Sequence, residues 1–210
     1  MTSPFFYRLV RQAFPYTITR DHYTLRTNDN GSPAMLSAIM QAIREDDKEK
    51  HGKQFYRLPM PEGALFFKRK FFDSSKRKLR LTLGKFGQYG SLDWPLEEIR
   101  NTVAVNALGI ESPLLRGYGV LRGKWGLVEE VHLLFDFLEG YTSCNLFLDA
   151  SNDKAKDLKT LNARFFDLIY QMHQKGVAHL DLSPKNVMLP TDGNIHAAQV
   201  IDFEICHIAP

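Results

Sequence analysis

The chain has 210 residues, 44% of them hydrophobic and 24% charged, with a formal net charge of +3 and two cysteines. That is the composition of a globular domain, and no run approaches the roughly 18 consecutive apolar residues that cross a bilayer. The opening Met1-Thr2-Ser3-Pro4 lacks the charged-then-apolar layout of a secretory signal, so a cytoplasmic protein with reduced Cys144 and Cys206 is expected, without a nucleic-acid partner.

Phe5 to Phe14 mixes aromatic and basic side chains, which suits either a helix packed on the domain or one lying at a membrane interface. Thr27 to Pro33 reads as a loop, and Ala34 to Lys50 as a helix with a charged C-terminal half. Gly63 to Phe72 is strongly β-prone, with Lys68 and Lys70 projecting from one face. Lys68, which ends the apolar run Ala64 to Phe67, is the first candidate to hold phosphate as a compact point charge, with Lys70 its rival, or both could simply guard an edge strand. Basic residues recur in Lys76-Arg77-Lys78-Leu79-Arg80, a solvated face or a patch for an anionic surface. The run Gly84-Lys85-Phe86-Gly87-Gln88-Tyr89-Gly90 fits no phosphate-binding spacing and reads as a mobile connection.

Asp93 as N-cap, Pro95 in the first turn and Gly109 as stop frame the next helix, with Ile99, Val103, Ala104, Ala107 and Leu108 inward. Its Glu97 and Glu98 either complement the helix dipole or, in the case of Glu98, reach the strand lysine. Trp125 to Glu130 and Leu133 to Gly140 read as two strands, the second ending in a Glu139-Gly140 break suited to a hinge. Leu158, Leu161, Phe165, Leu168 and Met172 recur at helical spacing before Gly176, so 155–175 is an amphipathic helix with that stripe as core.

The helix delivers His179-Leu180-Asp181-Leu182-Ser183-Pro184-Lys185-Asn186. Beyond it Val187-Met188-Leu189 and Gln199-Val200-Ile201 form apolar strands joined across Thr191-Asp192-Gly193-Asn194, where Asp-Gly is a hairpin signal. The hairpin returns Asp202, Phe203 and Glu204 to the neighbourhood of Asn186. H-x-D-x(4)-N followed by a strand-end Asp supplies what phosphoryl transfer asks of a protein. Asp181 would be the carboxylate beside the attacking hydroxyl. Asn186 and Asp202 would supply hard oxygen ligands for Mg²⁺.

With these residues the chain resembles the protein-kinase-like superfamily, and most closely the bacterial lipopolysaccharide core kinases that act on Kdo or heptose. The likeness lies in Phe66-Phe67-Lys68-Arg69, in E-I-R-N-x(7)-G-I-x-S-P from Glu98 to Pro113, in Phe137-Leu138-Glu139-Gly140, and in the loop and strand-end segments at 179–186 and 201–204. The resemblance implies an α+β, bilobal, single-domain fold over 1–210. An N-lobe with an antiparallel sheet, an αC-type helix and an N-terminal extension would occupy 1–136. A hinge and an abbreviated, mainly helical C-lobe with the catalytic-loop hairpin would occupy 137–210. It implies ATP and Mg²⁺ as cofactors, Asp181 as catalytic base, Asn186 and Asp202 as metal ligands, and Lys68, partnered by Glu98, as phosphate anchor. His179 would support the loop. Lys185 would reach the transferred phosphoryl group, because Ser183 stands where many protein kinases carry a lysine.

The acceptor implied is a sugar hydroxyl of the lipopolysaccharide inner core, with peripheral contact to the cytosolic face of an anionic inner membrane left open. A small atypical Ser/Thr protein kinase and a nucleotide-binding pseudokinase scaffold are the alternatives. Glu204 replaces the glycine of D-F-G, no glycine-rich loop precedes Lys68, and the sequence stops at Pro210, shortly after Asp202. A very compact or truncated C-lobe is therefore expected.

Overall fold

The computed structural model describes residues 10–29, 33–49, 55–61, 63–83, 95–151 and 153–209. The Gly84–Gly90 run, the Asp93 cap and residues 5–9 lie outside these. The chain divides into two compact units, residues 1–103 with 114–137, and residues 104–113 with 138–210. Among the described residues no helix is long and apolar enough to cross a membrane.

The first unit is a six-stranded sheet with helices on its faces. Its elements are β1 (Tyr16–Arg20), β2 (Tyr23–Thr27), α1 (Pro33–Glu49), β3 (Phe55–Met60), β4 (Gly63–Phe71), α2 (Ser75–Leu83), α3 (Leu96–Ala107), β5 (Leu115–Arg122) and β6 (Val128–Asp136). Every strand pairs antiparallel, in the order β1-β2-β5-β6-β4-β3. Strand alternation sends Tyr23, Leu25, Leu65, Phe67 and Leu134 to one face, where Met35, Leu36, Ile39 and Ile43 of α1 cover them. The opposite residues, including Leu115, Val131 and Leu133, pack on Leu81 of α2, Ile99 and Val103 of α3, and Val10 and Phe14. The N-terminal segment thus packs on the domain from Val10 onward.

Residues 125–140 depart from the expected two strands: Val128–Asp136 is one continuous strand. Its polar residues Glu130 and His132 do not interrupt it, because Glu130 is bonded through both carboxylate oxygens to Arg69 of β4, at 2.6 and 3.0 Å. An inward charge within a strand is retained when it is paired.

Gly119 of β5 lies opposite His132 of β6, and its missing side chain is where the Tyr23 ring rests. A Cβ there would meet the Tyr23 hydroxyl at 1.8 Å and the ring at 2.4 Å. Gly119→Ala should therefore force Tyr23 out of its packed position and cost about 1–3 kcal/mol. Thermal unfolding checks this: an unchanged Tm would mean that the ring moves aside freely.

The second unit holds β7 (Tyr141–Ser143), α4 (Cys144–Ala150), α5 (Lys154–Gln174), β8 (Val177–His179), β9 (Val187–Pro190), β10 (Gln199–Val200) and β11 (Cys206–Ile208). Strands β10-β9-β7 form one small sheet and β11-β8 another. Asp153 caps α5, its side chain accepting from the Lys156 amide, and Gly176 follows the helix in the left-handed conformation at φ +72°. Leu161, Leu168 and Met172 of α5 join Val105, Ile110, Cys144, Val177, Val187, Leu189, Val200 and Phe203 in the core.

Leu158 departs from the expected stripe, at 48% exposed. The inward ridge begins at Leu161, and the first turns of α5 extend beyond the packed region. The connection between β9 and β10 is longer than an Asp-Gly hairpin, since a 3₁₀ turn at Ile195–Ala197 intervenes.

Candidate active site

In the first unit, Lys68 leaves β4 on the face opposite the buried Phe67 and Arg69, and its Nζ donates to both Glu98 carboxylate oxygens at 2.8 and 2.9 Å. The pair is nearly dry, with side chains 11% and 2% exposed. Glu98 is in the first turn of α3, and its neighbour Glu97 pairs instead with Arg100. Glu98, the acidic residue that the sequence offered as a partner for the strand lysine, is the one that meets it.

Behind Lys68, on the other face of β4, lies a buried network that sequence reasoning missed. Glu130 accepts from Arg69 and lies 2.9 Å from His132 Nε2, and His132 Nδ1 lies 3.2 Å from the Tyr23 hydroxyl. Phe67 packs edge-on against His132, and Arg69 lies over the Phe71 ring. Burial, with the Glu130 charge nearby, holds the Tyr23 hydroxyl well above its usual range. Burial pushes the Glu130 carboxyl upward, but hydrogen bonds from His132 and Arg69 outweigh it and hold the group below its usual value.

In the second unit, His179 ends β8 and the following loop is held by its backbone. The Leu180 amide donates to the Ile205 carbonyl at 2.9 Å, and the Asn186 amide to the Ser183 carbonyl at 2.8 Å. His179 Nε2 donates to the Ile201 carbonyl at 3.1 Å, and its ring packs on Phe203 with centroids 5.1 Å apart. Burial lowers the His179 pKa against the opposing pull of that bond and of Asp202 and Asp181. The imidazole is a neutral structural donor.

Asn186 is buried, and its Nδ2 donates to the Asp181 carbonyl at 2.8 Å. That bond fixes the amide orientation and leaves Oδ1 as the end for a ligand. The Asn186 carbonyl accepts from the Ile201 amide at 2.9 Å, which brings the two strand ends together as the hairpin reading expects. Asp202 follows with φ +66°, left-handed backbone that costs a non-glycine residue about 1 kcal/mol. Such strain clusters at functional sites. The Asp181 carboxylate is half exposed, with Lys185 Nζ 3.5 Å from its Oδ2.

Arg164 is a second residue missed in the sequence. It is buried in α5 at 7% exposure and bonds the Ile195 and His196 carbonyls at 3.2 and 2.8 Å and Glu111 and Asp167 at 2.5 Å each. The Glu111 carbonyl in turn accepts from the Val200 amide at 2.9 Å, two residues before Asp202. Glu111 belongs to the segment Gly109-Ile110-Glu111-Ser112-Pro113, which begins where Gly109, at φ +63°, closes α3. There the Ile110 and Gly109 amides return to the Val105 and Asn106 carbonyls in a Schellman motif. The Gly-Ile-x-Ser-Pro signature thus has a mechanical meaning: it stops a helix and props the strand that leads to Asp202.

A model of the lipopolysaccharide kinase (Kdo/WaaP) family matches residues 95–208, from the start of α3 through β11. No curated protein sequence matches the chain. Among solved structures, WaaP in complex with acyl carrier protein is similar over 76% of this chain, at 18% identity and a TM-score of 0.48, and the chain spans 60% of that protein's length. The family match covers more than half of the residues, and the chain belongs to the lipopolysaccharide kinase (Kdo/WaaP) family.

Proposed function

We propose that the protein transfers the γ-phosphoryl group of ATP to a sugar hydroxyl of the lipopolysaccharide inner core, at the cytosolic face of the inner membrane. Asn186 carries this reading: its amide is locked by the Asp181 carbonyl at 2.8 Å, with an oxygen left for a cation next to the left-handed Asp202. An amide oxygen and a carboxylate are the donor set Mg²⁺ prefers, so the residues fit that ion, which when bound neutralises phosphate charge.

Asp181 orients the acceptor hydroxyl. As its oxygen bonds to the γ-phosphorus and the bond to ADP breaks, the hydroxyl proton passes to the Asp181 carboxylate. Lys185, 3.5 Å from that carboxylate, holds positive charge where the phosphoryl group transfers. Lys68 anchors the α and β phosphates, and Glu98 aims its ammonium group.

The test is acceptor-dependent ADP release with a Kdo-bearing lipid. Chelating divalent cations should abolish turnover, and added Mg²⁺ should restore it. Turnover that persists in chelator would remove Asn186 and Asp202 from the role of metal ligands.

A further inference from the structure

We propose that α2, together with the turn joining β5 to β6, docks the protein on an anionic phospholipid surface, an inference that rests on a membrane-embedded acceptor. Helix α2 spans nine residues, of which Lys76, Arg77, Lys78 and Arg80 are basic and none is acidic. It is fastened to the unit by one face, where Leu81 is buried and Thr82 Oγ1 accepts from the Val128 amide at 2.8 Å. On its outer side Leu79 and Leu83, one turn apart, are 49% and 48% exposed.

The same hydrogen bond to Val128 ties the base of the β5–β6 turn to α2. That turn is closed by the Gly123 amide on the Leu127 carbonyl at 2.9 Å, and it presents Trp125, 84% exposed, beside Lys124. By helical spacing Leu79 and Leu83 share the outer side with Lys76 and Arg80, and Trp125 adjoins Lys124, while Lys78 pairs with Glu129 at 3.5 Å and Arg77 lies over the Phe72 ring. Interfacial elements combine these residue types, because tryptophan and leucine enter the headgroup boundary while lysine and arginine meet anionic lipid. An acidic protein partner would need a matching surface of about 800 Å², far more than one face of a short helix, whereas a fluid lipid surface needs no shape match.

The experiment sediments the full chain with vesicles of phosphatidylcholine alone or mixed with phosphatidylglycerol, alongside a Leu79→Ser/Leu83→Ser/Trp125→Ser variant whose Tm is checked against the parent. The parent should bind the anionic vesicles, release with added salt, and ignore neutral ones, and the variant should lose at least tenfold in affinity. The variant should phosphorylate a soluble, deacylated acceptor at the parental rate and a vesicle-embedded acceptor more slowly. Equal binding by parent and variant, or by both vesicle types, overturns the proposal, as does capture by an acidic soluble protein with no vesicle binding. Vesicle binding without transfer to any acceptor would sink the proposed activity and leave the docking face standing. Transfer to the soluble acceptor without vesicle binding would do the reverse.

Discussion

Asp181→Asn should lower kcat for phosphate transfer by about 10²–10⁴-fold while the protein keeps its fold and its affinity for nucleotide. The substitution removes the proton acceptor and leaves the size of the side chain unchanged. The Asp181 carboxylate is half exposed and is approached by Lys185 at 3.5 Å, a separation at which an exposed ion pair stabilises the fold little. The backbone carbonyl of residue 181, which holds Asn186, is untouched by the change. Loss of rate with unchanged Tm and unchanged nucleotide affinity is therefore the expected signature, and a rate within a few-fold of the parent would exclude Asp181 as base.

Glu130→Leu should cost about 3–5 kcal/mol, the largest stability effect expected in the first unit, because it strips the bidentate carboxylate from Arg69, which is fully buried. In a chain of this size each kcal/mol moves Tm by roughly 2–4 °C, so a fall on the order of 10 °C is expected. The double variant Arg69→Met/Glu130→Leu should recover part of that loss, since both charges are then absent, while His132 Nε2 still loses its bond to the Glu130 carboxylate. A double variant as unstable as the single one would show that shape, not charge pairing, sets the cost.

The pair also predicts a pH dependence. The folded Glu130 carboxyl is held below its unfolded value, near 4.3, so its contribution is present above that pH and is lost as pH falls through the lower folded value. Glu130→Gln should flatten this acid limb of the stability curve.

The segment from His179 to Asp202 was legible because it is local. His179, Asp181, Asn186 and Asp202 are brought together by one loop and one pair of short strands, so spacing alone fixes their neighbourhood. Lys68 and Lys70 share a face of one strand, and alternation cannot separate them. What distinguishes Lys68 is its contact with Glu98, thirty residues away in sequence, at 2.8 Å.

Arg69, Glu130 and His132 were misleading because charge normally marks a surface or a strand end. Their mutual pairing is visible only once β4 and β6 are in register, Arg69 opposite His132. Arg164 hid for the same reason: it interrupts the apolar ridge of α5, and its partners are carbonyls of a turn more than thirty residues on. The β1–β2 hairpin turns at Asp21-His22, without the usual glycine, with Asp21 itself left-handed at φ +53°. That turn carries no strong sequence signal, so spacing alone does not reveal the strands over 16–27.

Transfer of phosphate from ATP to the sugar by the Asp181 loop can be read from the product itself. The most direct measurement is the mass of a deacylated Kdo-containing acceptor after incubation with ATP, Mg²⁺ and either the parent chain or Asp181→Asn. One added phosphate on a sugar hydroxyl is expected with the parent and almost none with the variant. An acceptor left unmodified by the parent, or modified equally by both, would contradict it.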